Sequence, residues 1–160
     1  MLASTVRRRI VSNSQVSIQR TLLVIDDQPS VCVSLEYVLG EMGYRVLTAG
    51  SGQAAEEIVK REVVDGALID IHMPGQNGFA VCSCLLEHSR SIGRELPVWL
   101  MTGAFTNELE KRRVEVGGLA ILRKPFDLAA LLAELNRGFD RPDAVAVTRR
   151  LPQETAPDLP

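Results

Sequence analysis

Strand-like and helix-like segments alternate five times between residues 21 and 137 of this 160-residue chain. Short apolar, β-branched runs alternate with longer segments whose apolar residues recur at helical spacing. The predicted strands are Thr21–Ile25, Arg45–Thr48, Gly66–Ile69, Val98–Met101 and Leu119–Leu122, and the predicted helices begin near Pro29, Gly52, Phe79, Asn107 and Asp127. Five such units predict an α/β fold, in which helices cover both faces of a five-stranded parallel sheet. The first, third and fourth strands are continuously apolar, which fits the centre of that sheet.

Charged residues follow three of these predicted strands directly. Asp26 and Asp27 follow the first strand, Asp70 follows the third, and Lys124 follows the fifth. Because the carboxyl ends of parallel strands form one edge of an open sheet, we expect three carboxylates and one ammonium to converge there. Such carboxylates repel one another unless a cation or a proton intervenes, and a divalent metal held by oxygen ligands is the natural cation. Taken singly, the acidic pair could instead cap a helix, Asp70 could sit in a turn, and Lys124 could mark an ordinary strand exit.

The formal charge of the chain is −2, and it is unevenly distributed. Residues 1–20 carry +4 and residues 138–160 carry −1, which leaves −5 for residues 21–137. This acidic centre argues against direct DNA binding. We predict a disordered basic arm over 1–20, one domain over 21–137 and a flexible Pro-rich tail over 138–160. The composition of the arm also overlaps with that of organellar transit peptides.

The cysteines and the apolar runs limit where the chain can reside. Cys32, Cys82 and Cys84 are too few and too irregular for a disulfide framework, so we predict three free thiols in a reducing, cytoplasmic compartment. The longest apolar runs have the length of strands, so we expect no membrane-spanning segment.

The order of these residues resembles that of a known family. The acidic pair, the lone Asp70 followed by Met73-Pro74, the hydroxyl of Thr102 after the fourth strand, and Lys124-Pro125 appear in sequence. Residues 21–137 therefore resemble the response-regulator receiver domain of bacterial two-component signalling. The resemblance implies the flavodoxin-like strand order 2-1-3-4-5. A flavodoxin-like cofactor binder is the structural alternative, but the first strand–helix turn, Asp-Asp-Gln-Pro, lacks a glycine-rich phosphate cradle.

The resemblance implies that Asp70 is the phosphoacceptor and that the site binds Mg²⁺. A carboxylate attacks phosphorus poorly unless the phosphoryl charge is neutralised and the attack is in line. By the resemblance, Asp26, Asp27, Asp70 and the backbone carbonyl of His72 would hold the Mg²⁺. The His72 side chain could be an ordinary solvated loop residue, or it could influence how fast the acyl phosphate hydrolyses.

Two further residues complete the site that the resemblance implies. Lys124 would contact a phosphoryl oxygen, and its bond to Pro125 would be cis. Thr102 would move to hydrogen-bond the phosphoryl group, although Thr102-Gly103 is also a common turn pair. Ile121 departs from the family, which commonly has Tyr or Phe three residues before the lysine. Because isoleucine cannot swing a ring between two states, signal readout would use Thr102 and the fourth helix alone, or would differ in amplitude.

We expect a stand-alone receiver domain that is not an enzyme beyond its own phosphorylation and dephosphorylation. It would accept a phosphoryl group from a histidine kinase or a histidine phosphotransfer protein and change its binding to a downstream protein, without contacting a membrane. Two alternatives stay open: a phosphate sink or relay with fast self-dephosphorylation, and a degenerate receiver that binds partners constitutively. The charged fourth helix could be a docking surface or simply a solvated face.

Overall fold

The structure is a computed structural model that describes residues 9–12 and 15–141. Its centre is a parallel sheet of five strands in the order β2-β1-β3-β4-β5, which confirms the predicted topology. The strands are β1 (Thr21–Ile25), β2 (Arg45–Ala49), β3 (Gly66–Asp70), β4 (Val98–Thr102) and β5 (Ala120–Arg123). All residues of β1, β3 and β4 are buried, as a central position in a parallel sheet requires.

Five helices cover the sheet, and they divide the core into two layers. They are α1 (Pro29–Glu41), α2 (Gly52–Arg61), α3 (Gly78–Ser91), α4 (Asn107–Val116) and α5 (Leu128–Phe139). Leu39 of α1 and Leu135 of α5 pack in one layer, whereas Ala55 of α2 and Leu85 of α3 pack in the other. None of these helices in the described part combines the length and the apolar character needed to cross a membrane.

Local side-chain hydrogen bonds fix where most helices begin. The N-cap side chains of α2, α3, α4 and α5 are Ser51, Asn77, Thr106 and Asp127, and each accepts a hydrogen bond from a backbone N–H of the first turn. The Asp127 cap confirms the predicted start of α5. The α3 helix is longer than predicted, since it continues past His88 to Ser91. Its last turn is held by Ser89, which is buried and donates to the Arg94 carbonyl.

The last turn of α5 belongs to the core. Phe139 is buried and makes an edge contact with Trp99, with 5.4 Å between the ring centroids. The ring of the fully buried Trp99 contacts two glycines, Gly66 and Gly138. A Cβ at either position would collide with the ring, so both positions require glycine. The Arg20 guanidinium lies 4.2 Å from the Phe139 ring centroid. These contacts extend the packed unit by one residue before the predicted range 21–137 and by two residues after it.

The N-terminal region differs from the predicted disordered arm. Arg9–Ser12 and Gln15–Ile18 form a pair of antiparallel strands. The physical reason is the β-branched residues Ile10, Val11, Val16 and Ile18, which favour strands on either side of a Ser-Asn-Ser segment. Residues 1–8 and 13–14, and the tail predicted for residues 142–160, lie outside the described residues.

Candidate functional site

The acidic pair lies in the loop between β1 and α1. The backbone N–H of Asp26 donates to the Ala49 carbonyl at 3.1 Å, which joins the loop to the end of β2. Asp26 Oδ1 accepts a hydrogen bond from the N–H of Gln28 at 2.9 Å and turns the chain into α1. The N-cap of α1 is Gln28 itself, so the pair does not serve as a helix cap. Asp26 is 1% exposed, and Asp27 is partly exposed.

Asp70 is the last residue of β3 and is only 4% exposed. The strand end is held because Ile71 N–H donates to the Met101 carbonyl of β4 at 2.9 Å. The first residue of α3, Gly78, donates its N–H to the Ile71 carbonyl at 3.1 Å. A Cβ on Gly78 would overlap the Asp70 carbonyl and crowd Ile71 Cα. The phosphoacceptor candidate is therefore in direct backbone contact with the start of α3.

Lys124 reaches the carboxylates from the end of β5. Its Nζ donates to Asp26 Oδ2 at 2.5 Å and to Asp70 Oδ1 at 3.0 Å. Its backbone N–H donates to the Thr102 carbonyl at 2.7 Å, and the Lys124–Pro125 peptide bond is cis, as the family resemblance implies. The structure thus brings Lys124 together with two of the three predicted carboxylates.

Burial and charge shift the pKa values of the residues in this cluster. Burial raises the pKa of Asp70, and the charges of Asp26 and Asp27 raise it further, whereas the Lys124 hydrogen bond and charge lower it without reversing the rise. For Lys124, burial lowers the pKa, but the hydrogen bonds and charges of Asp26 and Asp70 outweigh it and raise the pKa overall. One ammonium therefore only partly compensates three carboxylates.

The carboxylates fit a divalent cation. One oxygen from each of Asp26, Asp27 and Asp70 lies within 4.8 Å of the other two. Asp27 Oδ1 is buried and accepts no hydrogen bond from the described residues, which leaves a negative oxygen that a cation could satisfy. A few carboxylates with room for water is the ligand set that Mg²⁺ favours. The His72 backbone carbonyl lies in the segment that follows Asp70, and the His72 side chain is exposed.

The oxygens of Asp26 and Asp70 differ in their hydrogen bonds. Both oxygens of Asp26 accept hydrogen bonds, from Gln28 and Lys124. Asp70 Oδ2 accepts none from the described residues, and it is not among the buried unpaired atoms, so it keeps some exposure. It is therefore the oxygen of Asp70 that is left without a hydrogen bond from the described residues.

Thr102 follows Met101, which is the β4 residue paired with Asp70, and Ile121 lies in β5 opposite Leu100. The Thr102 hydroxyl donates to the Ala104 carbonyl at 2.9 Å and accepts from the Ala104 N–H at 3.2 Å, so it is bound within its own loop. Ile121 is partly buried and packs in the layer that contains Leu109 and Val116 of α4. The position at which the family commonly has an aromatic ring therefore lies in the same core layer as the apolar residues of α4.

The comparisons with known proteins agree with this geometry. A family model described as the response regulator receiver domain matches residues 22–136. The chain is 33% identical over 134 residues to the transcriptional regulatory protein ZraR of Escherichia coli K12, covering 84% of this chain and 28% of that protein. It is 30% identical over 107 residues to the sporulation initiation phosphotransferase F of Bacillus subtilis, covering 67% of this chain and 83% of that protein. The chemotaxis protein CheY4 of Vibrio cholerae is similar in structure, with a TM-score of 0.69, 27% identity and coverage of 74% of this chain and 98% of that one.

Several of these curated relatives are longer than this chain. The chain spans about a quarter to about half of their length, such as 28% of ZraR and 55% of the response regulator MprA of Mycobacterium sp. strain KMS.

Proposed function

Because the chain belongs to the response-regulator receiver family, we propose that it transmits a signal by accepting a phosphoryl group on Asp70 in a Mg²⁺-dependent reaction. The observation that supports this most directly is the convergence of Asp26, Asp27, Asp70 and Lys124 at one edge of the sheet. The donor would be a phosphohistidine on a histidine kinase or a histidine phosphotransfer protein. We do not propose turnover of a separate substrate.

The reaction requires one oxygen of Asp70 to attack phosphorus. Lys124 binds Oδ1, so Oδ2 would form the new O–P bond while the P–N bond of the phosphohistidine breaks and the imidazole leaves. The bound Mg²⁺ would neutralise charge on the phosphoryl oxygens and align them. Lys124 is already within hydrogen-bond distance of Asp70, and it would supply a positive charge to one of those oxygens.

Thr102 would read the new charge. Its hydroxyl would have to leave Ala104 before it could hydrogen-bond a phosphoryl oxygen, and that exchange would release the loop leading to α4. Phosphorylation replaces the singly charged Asp70 carboxylate by an acyl phosphate with close to two negative charges at pH 7, and the added charge and phosphoryl oxygens can reorganise a loop held by two hydrogen bonds. A changed α4 surface would then alter binding to a downstream protein.

The charge and the cysteines support the remaining parts of the proposal. The acidic charge of residues 21–137 favours protein partners over DNA. The cysteines are unpaired, and burial raises the pKa of the Cys82 thiol to about 12, which fits inert thiols in a reducing compartment such as the cytoplasm.

A second candidate function is a phosphate relay or sink. The chain matches 83% of the length of a protein whose name describes a phosphotransferase. Phosphoryl lifetime distinguishes the two functions, since a relay or sink needs short occupancy and a switch needs long occupancy.

The experiment is intact-protein mass spectrometry after incubation with acetyl phosphate and Mg²⁺. We expect one phosphoryl group on the wild-type chain, and none on Asp70→Asn or in the presence of a chelator. The decay of the adduct then separates a switch from a sink. No adduct from acetyl phosphate or from a phosphohistidine donor would overturn the proposal and favour a degenerate receiver.

A further inference from the structure

Helix α4 is held to the rest of the domain by very few apolar contacts. None of its side chains is buried, and only Leu109 and Val116 pack partly into the core. Its C-terminal end is held by Arg113, which donates to the carbonyls of Gly118 and Leu119 at 2.8 and 3.0 Å. An element with so little buried apolar surface is inexpensive to displace, so individual contacts can decide its position.

One such contact joins the middle of α4 to α3. The guanidinium of Arg112 lies 4.6 Å from the centroid of the Phe79 ring, within the range of a cation–π interaction. Phe79 is 2% exposed and is the second residue of α3, and its N–H donates to Asn77 Oδ1 at 3.0 Å. Arg112 makes no ion pair with a carboxylate in the described part of the chain, in contrast to Arg113, which pairs with Glu110.

Phe79 is linked to the phosphoacceptor through the backbone. The adjacent Gly78 leaves no space between the start of α3 and the carbonyl of Asp70, and its N–H is bonded to Ile71. A shift of the segment after Asp70 must therefore displace Gly78 and the Phe79 ring beneath Arg112.

An open cavity of about 450 Å³ lies along the same path. It is lined by the loop after Asp70, including His72 and Met73, and by Phe79, Leu109 and Arg112 on the helices. Open space therefore lies beside the loop, the start of α3 and the stacked pair.

We propose that Arg112 is a positioning residue that couples the Asp70 loop to α4 through its contact with the Phe79 ring. The proposal rests on the proposed function, because it concerns how phosphorylation of Asp70 reaches α4. The contact supplies a link between the site and α4 that does not require an aromatic residue at Ile121, which is partly buried in β5.

The test compares Arg112→Gln with Lys111→Gln in the full chain. Lys111 is a matched control, because it is exposed on the same helix and makes no hydrogen bond or ion pair with the described residues. Amide hydrogen exchange of α4 is measured with and without beryllofluoride and Mg²⁺, which mimic the phosphoryl group. Arg112→Lys is a third variant that keeps the charge but stacks less well on a ring.

We expect Arg112→Gln to raise α4 exchange about 2- to 5-fold without beryllofluoride, the factor that an exposed cation–π contact contributes. We also expect it to reduce the beryllofluoride-induced change in α4 by at least about half. Lys111→Gln should behave as wild type, and Arg112→Lys should be intermediate. A purely structural role would raise basal exchange but leave the beryllofluoride-induced change intact.

An unchanged beryllofluoride response in Arg112→Gln would overturn the coupling. Failure of the proposed function looks different, because beryllofluoride would then cause no change around Asp70 in the wild-type chain. In that case the basal comparison with Lys111→Gln still decides whether the Phe79 contact holds α4, and equal exchange in the two variants would refute it.

Discussion

Replacing Asp70 by asparagine should stabilise the protein when no divalent cation is present. The substitution removes one of three carboxylates whose oxygens lie within 4.8 Å of one another. At an effective dielectric constant of about 20, each repulsion at that distance is about 3.5 kcal/mol, so the two lost repulsions total about 7 kcal/mol. The lost attraction to Lys124 at 3.0 Å is about 5.5 kcal/mol on the same scale. The difference predicts a gain of about 1–2 kcal/mol, and the amide also avoids the cost of burying a charge.

Thermal unfolding followed by circular dichroism at pH 7.5 in a chelator measures this gain. We expect the Tm of Asp70→Asn to rise by about 3–8 °C for 1–2 kcal/mol in a domain of this size. Glu57→Gln, at an exposed position on α2 outside the cluster, removes the same charge and should change the Tm little. The pKa of Asp70 is higher in the folded state than its usual value of 3.8. Protonated Asp70 therefore favours the folded state: this stabilisation is fully present below pH 3.8 and is lost as pH rises through the raised pKa. The advantage of the asparagine should therefore shrink as pH falls towards 3.8.

Magnesium ions should reverse the order of the two proteins. A ligand at a hundredfold excess over its Kd stabilises the folded state by about 2.7 kcal/mol, and the variant lacks one of the proposed ligands. Wild type should then have the higher Tm. If Asp70→Asn has a lower Tm than wild type in the chelator, and Glu57→Gln is unchanged, then attraction to Lys124 exceeds the repulsion between carboxylates and our reasoning is refuted.

Three further predictions concern the neighbours of this site. Lys124→Gln leaves the carboxylates without their ammonium and should lower the free energy of unfolding by about 3 kcal/mol in a chelator, with partial recovery in Mg²⁺. Denaturant unfolding measures the free energy under both conditions. If the variant and wild type are equally stable in the chelator, the ion pairs of Lys124 do not stabilise the fold. Gly78→Ala should lower the free energy of unfolding by about 2–4 kcal/mol through steric overlap with Asp70. Gly40→Ala in α1 meets open space and should raise the free energy of unfolding by about 0.5–1 kcal/mol. Similar effects of the two substitutions would refute the close approach of Gly78 to Asp70. Thr102→Val should still accept a phosphoryl group but should lose most of the response of α4, as amide exchange would show, and a full response would exclude the hydroxyl of Thr102 as the reader.

The sequence predicts the fold well because one rule governs every strand. Apolar runs of four or five residues, separated by helical periodicity, allow few arrangements other than a parallel sheet. The site follows from the same rule, since residues after the first, third and fifth strands meet at one edge. The boundaries are less predictable, because packing decides them. Met42 has helical spacing with Leu35 and Leu39 but lies beyond the end of α1 and is 47% exposed.

Contacts between distant residues are what the sequence does not reveal. The fit of Gly78 against Asp70 depends on the path of the loop between them, although a glycine at the start of a helix close to the acceptor was a usable signal. Stacking of Arg112 on Phe79 joins residues 33 positions apart and follows no local pattern. Leu128 is apolar and lies three residues before the buried Leu131, yet it is 38% exposed because it is the first residue of α5.

In the charged fourth helix, the structure distinguishes residues that make contacts within the molecule from residues that are exposed, which composition alone does not do. Its six charged residues were equally compatible with a solvated face and with a docking surface. Three of them are committed within the molecule, since Arg112 stacks on Phe79 and Arg113 pairs with Glu110. The other three are exposed and recur at positions i, i+3 and i+7, which places them along one stripe of the helix: Glu108, Lys111 and Glu115. Since the three exposed residues lie on one helix, a displacement of α4 would move this stripe as a unit. A partner that binds the charges of the stripe would then bind the displaced helix differently.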